Sequence, residues 1–207
     1  MQLHRRDVVD KAAQLLDDYG IADLTMRRLA RELSVTPGAL YWHFADKQAL
    51  LGAVADRILE PAAAPVEPAH WTTRVHAICS GLRNALLSAT DGAELVSASF
   101  AAGKSDLTTE ILDRLTAAAV EAGIDPPNAE LAARTVLYYV LGFTADEQSR
   151  LQWDAAGALS EDQSVMATNP NRRFAFGLGL LVGGMAAQYP SVSGDQGVDP
   201  GVAVPTA

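Results

Sequence analysis

Apolar residues recur every three or four positions along almost the whole of this chain, and nowhere do they alternate. Val8, Ala12, Leu15, Leu16 and Tyr19 share one face before Gly20 breaks the run. Met26, Leu29, Ala30 and Leu33 repeat the spacing, as do Leu50, Leu51, Val54 and Ile58, and then Val75, Ile78, Cys79, Leu82 and Leu86. A period near 3.6 places such residues on one helical stripe, whereas a half-buried strand needs a period of two. The chain is therefore expected to be all-α. Further helices are expected near 91–101, 106–122 (stopped by Gly123), 125–150 (opened by Asp125-Pro126-Pro127) and 172–188, with an acidic loop at 154–169. Pro61, Pro65 and Pro68 divide the chain into an N-terminal helix-turn-helix unit, 1–60, and a helical bundle, 61–188. The Gly-, Pro- and Ser-rich segment 189–207 reads as a disordered tail.

Charge separates the same two parts. The net charge is −9, yet in residues 1–59 eight basic side chains (5, 6, 11, 27, 28, 31, 47, 57) balance eight acidic ones (7, 10, 17, 18, 23, 32, 46, 56). The acidity lies wholly in the second part, which leaves a locally basic patch at 24–47 able to meet DNA. Cys79 is the only cysteine, so neither an intrachain disulfide nor a cysteine-based zinc site is expected. Met1 to Asp10 is polar, and the longest apolar stretch, Phe174 to Ala187, has 14 residues, against about 20 for a membrane helix. A cytoplasmic protein without membrane, metal or cofactor is expected.

The stretch VTPGALYWHF, residues 35–44, carries the most chemistry. Pro37 suits the first position of a helix, Thr36 is placed to cap it, and Leu40 and Phe44 fall on one inward face. The remaining faces carry Pro37, Gly38, Ala39, Tyr41, Trp42 and His43: small residues in front, polar-tipped aromatics behind. With the helix starting at Thr25 and its outward Arg27, Arg28 and Arg31, this forms two short helices about a tight turn. Such a unit lays its second helix in the major groove while the first crosses the backbone. Thr25 and Arg27 at the head of one helix and Lys47 at the head of the next are placed for phosphates.

The segment LTMRRLARELSVTPGALYWHFADKQALL, residues 24–51, resembles the DNA-binding domain of the tetracycline-repressor (TetR) family. LRNALLSATDGAELV (82–96), YYVLGFTADEQ (138–148) and RRFAFGLGLLVGGM (172–185) are similar to the effector domain of the tetracycline repressor itself. The resemblance implies that Thr25, Arg27, Tyr41 and Lys47 hold phosphates, while Pro37, Gly38, Ala39, Trp42 and His43 face bases or their flanks. It also implies a dimer built on the last long helices. The chain departs at Pro37-Gly38-Ala39, where that repressor has Gln-Pro-Thr, so a different operator is expected. Ile78 and Val96 stand where the resemblance implies a drug-holding asparagine and a magnesium-binding histidine, and PAAAP (61–65) replaces a further drug-contacting histidine. Asp146 or Glu147 is left as the acidic group nearest such a site.

No Gly-rich phosphate loop, nucleophile elbow or metal-spaced cluster occurs, so no enzyme is expected. Ile78, Leu82, Leu86, Val96, Ser99, Phe100, Tyr138, Tyr139, Phe143, Glu147 and Trp153 are the candidate lining of a mostly apolar effector pocket. The stretch from Phe174 to Ala187 is apolar on nearly every face, with Gly177, Gly179, Gly183 and Gly184 in it, which suits burial between subunits. The reading is a homodimeric, ligand-responsive repressor of a palindromic operator. Its rival is a constitutive repressor or architectural DNA-binding protein whose second part only dimerises.

Overall fold

The computed structural model describes residues 3–67, 69–160, 162–164 and 169–188. The proposed tail 189–207, Pro68, and part of the 154–169 loop lie outside the described residues. Among those described, the regular elements are helices and no strand occurs. They are α1 (Arg5–Tyr19), a 3-10 turn (Ile21–Asp23), α2 (Met26–Glu32), α3 (Pro37–Tyr41) and α4 (Lys47–Leu59), then α5 (Trp71–Leu87), α6 (Gly92–Ala101), α7 (Asp106–Glu121), α8 (Pro126–Ala155) and α9 (Pro170–Gln188).

The caps follow from the local sequence. Gly20 takes φ 77, which ends α1 as its N–H donates to the Leu16 carbonyl. Thr25 caps α2 through its hydroxyl on the Arg28 N–H, Asp46 caps α4 on the Ala49 N–H, and Ser105 caps α7 on the Thr108 N–H. Three sequence expectations are corrected here. Thr36 makes no side-chain cap, so its hydroxyl is left unused by α3. The helix within VTPGALYWHF stops at Tyr41, because His43 and Phe44 both donate their N–H to the Leu40 carbonyl and close a turn. The eighth helix runs on to Ala155 and so includes Trp153.

Val8, Leu16, Leu29, Leu40, Phe44, Leu50 and Val54 are buried in the N-terminal unit; Val75, Leu82, Leu86, Leu95, Ile111, Leu137 and Leu178 are buried in the bundle. All belong to one continuous apolar cluster, which passes from one unit to the other along α4. In α9 only the stripe Phe174, Leu178 and Val182 is buried, because a single face meets α5 and α8. Phe176 and Leu180 stand 69% and 63% exposed. The expectation of an all-round buried helix is therefore met on one face only within a single chain. Gly177 is the glycine of α9 whose Cβ would collide with a neighbour, the Tyr139 ring; Gly179, Gly183 and Gly184 face open space.

Candidate nucleic-acid interface and effector pocket

Leu40 and Phe44 anchor the recognition turn from below, which pushes its other residues outward. Trp42 is 90% exposed and Tyr41 is exposed beside it. Thr36, Pro37 and Gly38 are also exposed, and Ala39, His43 and Lys47 half-buried. An indole left in water costs free energy that burial against another surface would recover. Ser34, with φ 55, makes the turn that aims α3 away from α2. Of the arginines on α2, Arg27 and Arg31 are exposed. Arg28 is placed differently from the sequence expectation. Its guanidinium lies 3.7 Å from the Tyr19 ring centroid and 2.7 Å from Asp23, tying α2 to the end of α1. Arg28 thus holds the two helices together, with a fifth of its side chain left exposed.

In the bundle the structure splits the candidate pocket residues into three groups. Ile78, Leu82, Leu86 and Val96 are buried in the common core. Ser99 is buried too, and its hydroxyl has no hydrogen-bond partner. Phe100 is half-buried, with the Arg134 guanidinium over its ring. A second group ties α9 to its neighbours. The Tyr139 hydroxyl donates to the Phe174 carbonyl at 2.8 Å, and Tyr139, Phe143 and Phe174 form an aromatic cluster. Burial lifts the Tyr139 phenol above its ordinary pKa. Glu147 takes a bidentate pair of bonds from Arg83, at 2.8 and 2.6 Å, and Arg83 also donates to Asn171 on α9. The third group, Tyr138 and Trp153, is exposed on the outer face of α8. Tyr138 lines a groove of about 550 Å³ between α6 and α8 with Ala93, Ser97, Ala98, Leu141, Gly142 and Ala145 among its walls. Asp146, one residue before Glu147, is on the surface, paired with Arg150.

Sequence reasoning missed the residues that join the two units. Asp91, just before α6, accepts from the Ile21 N–H and from Gln152 on α8. Thr90 beside it bonds Asp17 at the end of α1. Gln148 donates to the Leu86 and Ala89 carbonyls and accepts from the Ala93 N–H, so α8 grips the α5–α6 turn. At the other end of α6, Asp56 on α4 accepts from the Ser105 hydroxyl and the Leu107 N–H, and Gly52 lies so close to the Lys104 carbonyl that no Cβ would fit. Both ends of α6 are thereby fastened to the N-terminal unit. The signal was available only as isolated polar residues, with nothing in their spacing to pair them across some 50 to 70 positions.

A solvent-facing aromatic recognition turn, carried by a three-helix unit on an α-helical bundle, defines a helix-turn-helix DNA-binding regulator. The chain matches the family described as bacterial regulatory proteins, tetR family, over residues 8–54, and the tetracyclin repressor-like C-terminal domain over residues 64–189. It belongs to the TetR family of transcriptional repressors, with the DNA-binding and ligand-binding domains of that family. Tetracycline repressor protein class C of Escherichia coli is 30% identical over 206 residues, covering 89% of this chain and 91% of that one. The crystal structure of Mycobacterium smegmatis BioQ is 62% identical and covers 90% of this chain and 99% of its own, with a TM-score of 0.84. A structure of BioQ with its natural double-stranded DNA operator is 59% identical over 90% of this chain and 99% of that one, TM-score 0.79. Among the described residues no cluster of side chains is arranged to hold a metal ion, and no helix is long and apolar enough to cross a membrane.

Proposed function

We propose that the protein is a homodimeric repressor that binds a palindromic operator and releases it when a small, mostly apolar effector enters the bundle. The observation that carries this reading is the exposure of two separate apolar surfaces, the Trp42 turn and the Phe176–Leu180 face of α9. One short helix reads few bases, and pairing through α9 would present two copies to successive major grooves. The likeness to BioQ, solved with an operator duplex, supports the DNA half of the reading. On α3 and its flanks, Thr36, Pro37, Gly38, Ala39, Trp42 and His43 would meet bases or their edges. Thr25, Arg27, Tyr41 and Lys47 would hold phosphates. The protein is proposed to act without catalysis, as expected of its family.

The effector reading rests on Ser99. A buried hydroxyl without a partner is costly, and a ligand acceptor would satisfy it. The other inward candidates, Ile78, Leu82, Leu86, Val96 and Phe100, are apolar, which suits an apolar molecule with one polar group. Magnesium–tetracycline does not suit these walls, because Ile78 and Val96 offer no oxygen or imidazole to a hard cation. Leu82, Leu86 and Val96 are tightly packed in the common core, so an effector must open the bundle, and the fastenings of α6 would carry that opening to α1 and α4. The packed interior also favours the second reading, a repressor that needs no ligand.

Footprinting on genomic fragments, combined with sedimentation of the free protein and of its complex, tests the DNA half. Two protected half-sites about one helical turn apart and a dimer in both states are expected; a monomer on an asymmetric site refutes it. A thermal-shift screen of apolar small molecules separates the two readings. Only the sensor gains stability from a specific compound, and that compound must also release the operator.

A further inference from the structure

Lys47 is not the only cationic side chain beside the recognition turn. Arg5 and Arg6 open α1, where the Asp7 carboxylate accepts from the His4 N–H and so fixes the first turn. The Arg5 guanidinium lies over the Phe44 ring, 4.7 Å from its centroid. Phe44 is buried, follows Trp42 and His43 directly, and precedes Lys47 by three residues. A cation resting on that ring is held beside the recognition turn and the head of α4. No acidic partner is within salt-bridge distance of Arg5 among the described residues. Arg6 is 86% exposed, and its contact with Asp10 is long, 3.6 Å. Asp10 is already shared with Arg57, which leaves the Arg6 pair weak.

Both arginines border a cleft of about 680 Å³ between α1, α4 and the α6–α7 turn. Apart from these two arginines its walls set only Arg57 and Lys104 against four carboxylates, Asp10, Asp56, Glu60 and Asp106, so a small anion gains little by entering. Arg5, with no carboxylate partner among the described residues, and Arg6, with only the long contact to Asp10, stand next to the groups proposed for phosphate contact. Only an extended polyanion passing the recognition turn meets all of them at once.

We propose that Arg5 and Arg6 form a second phosphate-binding point on operator DNA, on backbone beyond that covered by the recognition turn and Lys47. This rests on the DNA-binding reading above. Each phosphate neutralised adds about 0.9 to the slope of log affinity against log salt. The contact carries no sequence information, so it adds to specific and non-specific binding alike.

The test is a salt titration of the full chain and its variants Arg6→Ala, Arg5→Ala, Arg5→Lys and the double alanine, each on a long operator duplex and on one trimmed at both ends. The expected slopes are shallower by about one unit for each alanine and by about two for the double variant. Arg5→Lys retains the slope. Trimming weakens the unaltered protein and leaves the double variant unaffected. Should Arg5→Ala loosen Phe44 and lower the melting temperature, Arg6→Ala, at a side chain 86% exposed, decides the question. Unchanged slopes in Arg6→Ala and the double variant, with the unaltered protein binding normally, overturn the proposal. Failure of the unaltered protein to bind any duplex overturns the DNA-binding reading itself.

Discussion

The Asp91 carboxylate stands 2.9 Å from the backbone nitrogen of Ile21, across the boundary between bundle and DNA-binding unit. Its other oxygen takes the Gln152 amide at 2.7 Å, so one side chain is held by α8 and holds the end of α1. Asp91 also sits at φ 54, a conformation that Asp and Asn tolerate better than Ala. Asp91→Ala is expected to cost about 2 kcal/mol through the lost bonds and the strained backbone, and Asp91→Asn about half that. Urea denaturation measures both. Equal losses in the two variants would mean that the carboxylate's bonds, not its tolerance of the left-handed backbone, are what Asp91 supplies.

Arg83 and Glu147 are both buried, and their pairing fixes the start of α9 through Asn171. Removing one partner leaves a charge without compensation, so Glu147→Leu is expected to cost about 3–5 kcal/mol. The double change Arg83→Met with Glu147→Leu is expected to be far milder, since no charge is then stranded. A double-mutant cycle by chemical denaturation checks this, and additive losses would contradict it.

Trp42 touches solvent almost entirely, so Trp42→Ala is expected to leave stability within about 0.5 kcal/mol and still to abolish tight operator binding. Arg28→Ala is expected to do the reverse. It loses the Tyr19 stacking and the Asp23 pair, about 1 kcal/mol of stability, with the salt slope retained. Melting curves and fluorescence anisotropy, run on the same samples, separate the two effects.

Phe176→Asp with Leu180→Asp places charges on the exposed face of α9 while sparing Phe174, Leu178 and Val182. Sedimentation is expected to show a folded monomer with greatly weakened operator binding. A dimer that survives both changes would put the subunit contact elsewhere.

Burial pushes the Cys79 thiol up to about 12. The native thiol is therefore expected to resist a disulfide reagent at pH 8 and to react only after unfolding. Its pKa is higher folded than unfolded, so the associated stability is full below about pH 8.5 and declines as pH rises toward 12. Reaction at the same rate in native and denatured protein would show that Cys79 is accessible.

Helices with one apolar stripe, such as α1 and α5, were legible because periodicity reports burial directly. The recognition turn was legible because its pattern is local: Pro at the start, an inward Leu and Phe, aromatics outside. Arg28 shows where this fails, since spacing put it outward and only the fold brings Tyr19 and Asp23 beneath it. Arg5 was legible only as a charge, as its place beside Phe44 depends on how α1 packs on the following helices. Tyr138 and Tyr139 are neighbours that a 100° helical step sends to different surroundings, one to solvent and one to Phe174. Ser99 was legible only as a candidate for the pocket lining, and the absence of a partner for its hydroxyl required the neighbours.

The apolar cluster that runs without a seam from α1 to α9 has a consequence for modularity. Two units with separate cores melt separately and can be exchanged like cartridges. Here the leucines under the recognition turn and those under the effector residues belong to the same packed body, so the chain is expected to unfold in one cooperative step. Grafting this reading head onto another bundle would then require carrying over the facing surfaces of α5, α6 and α7, and a substitution deep in the bundle would loosen the grip on DNA without touching it.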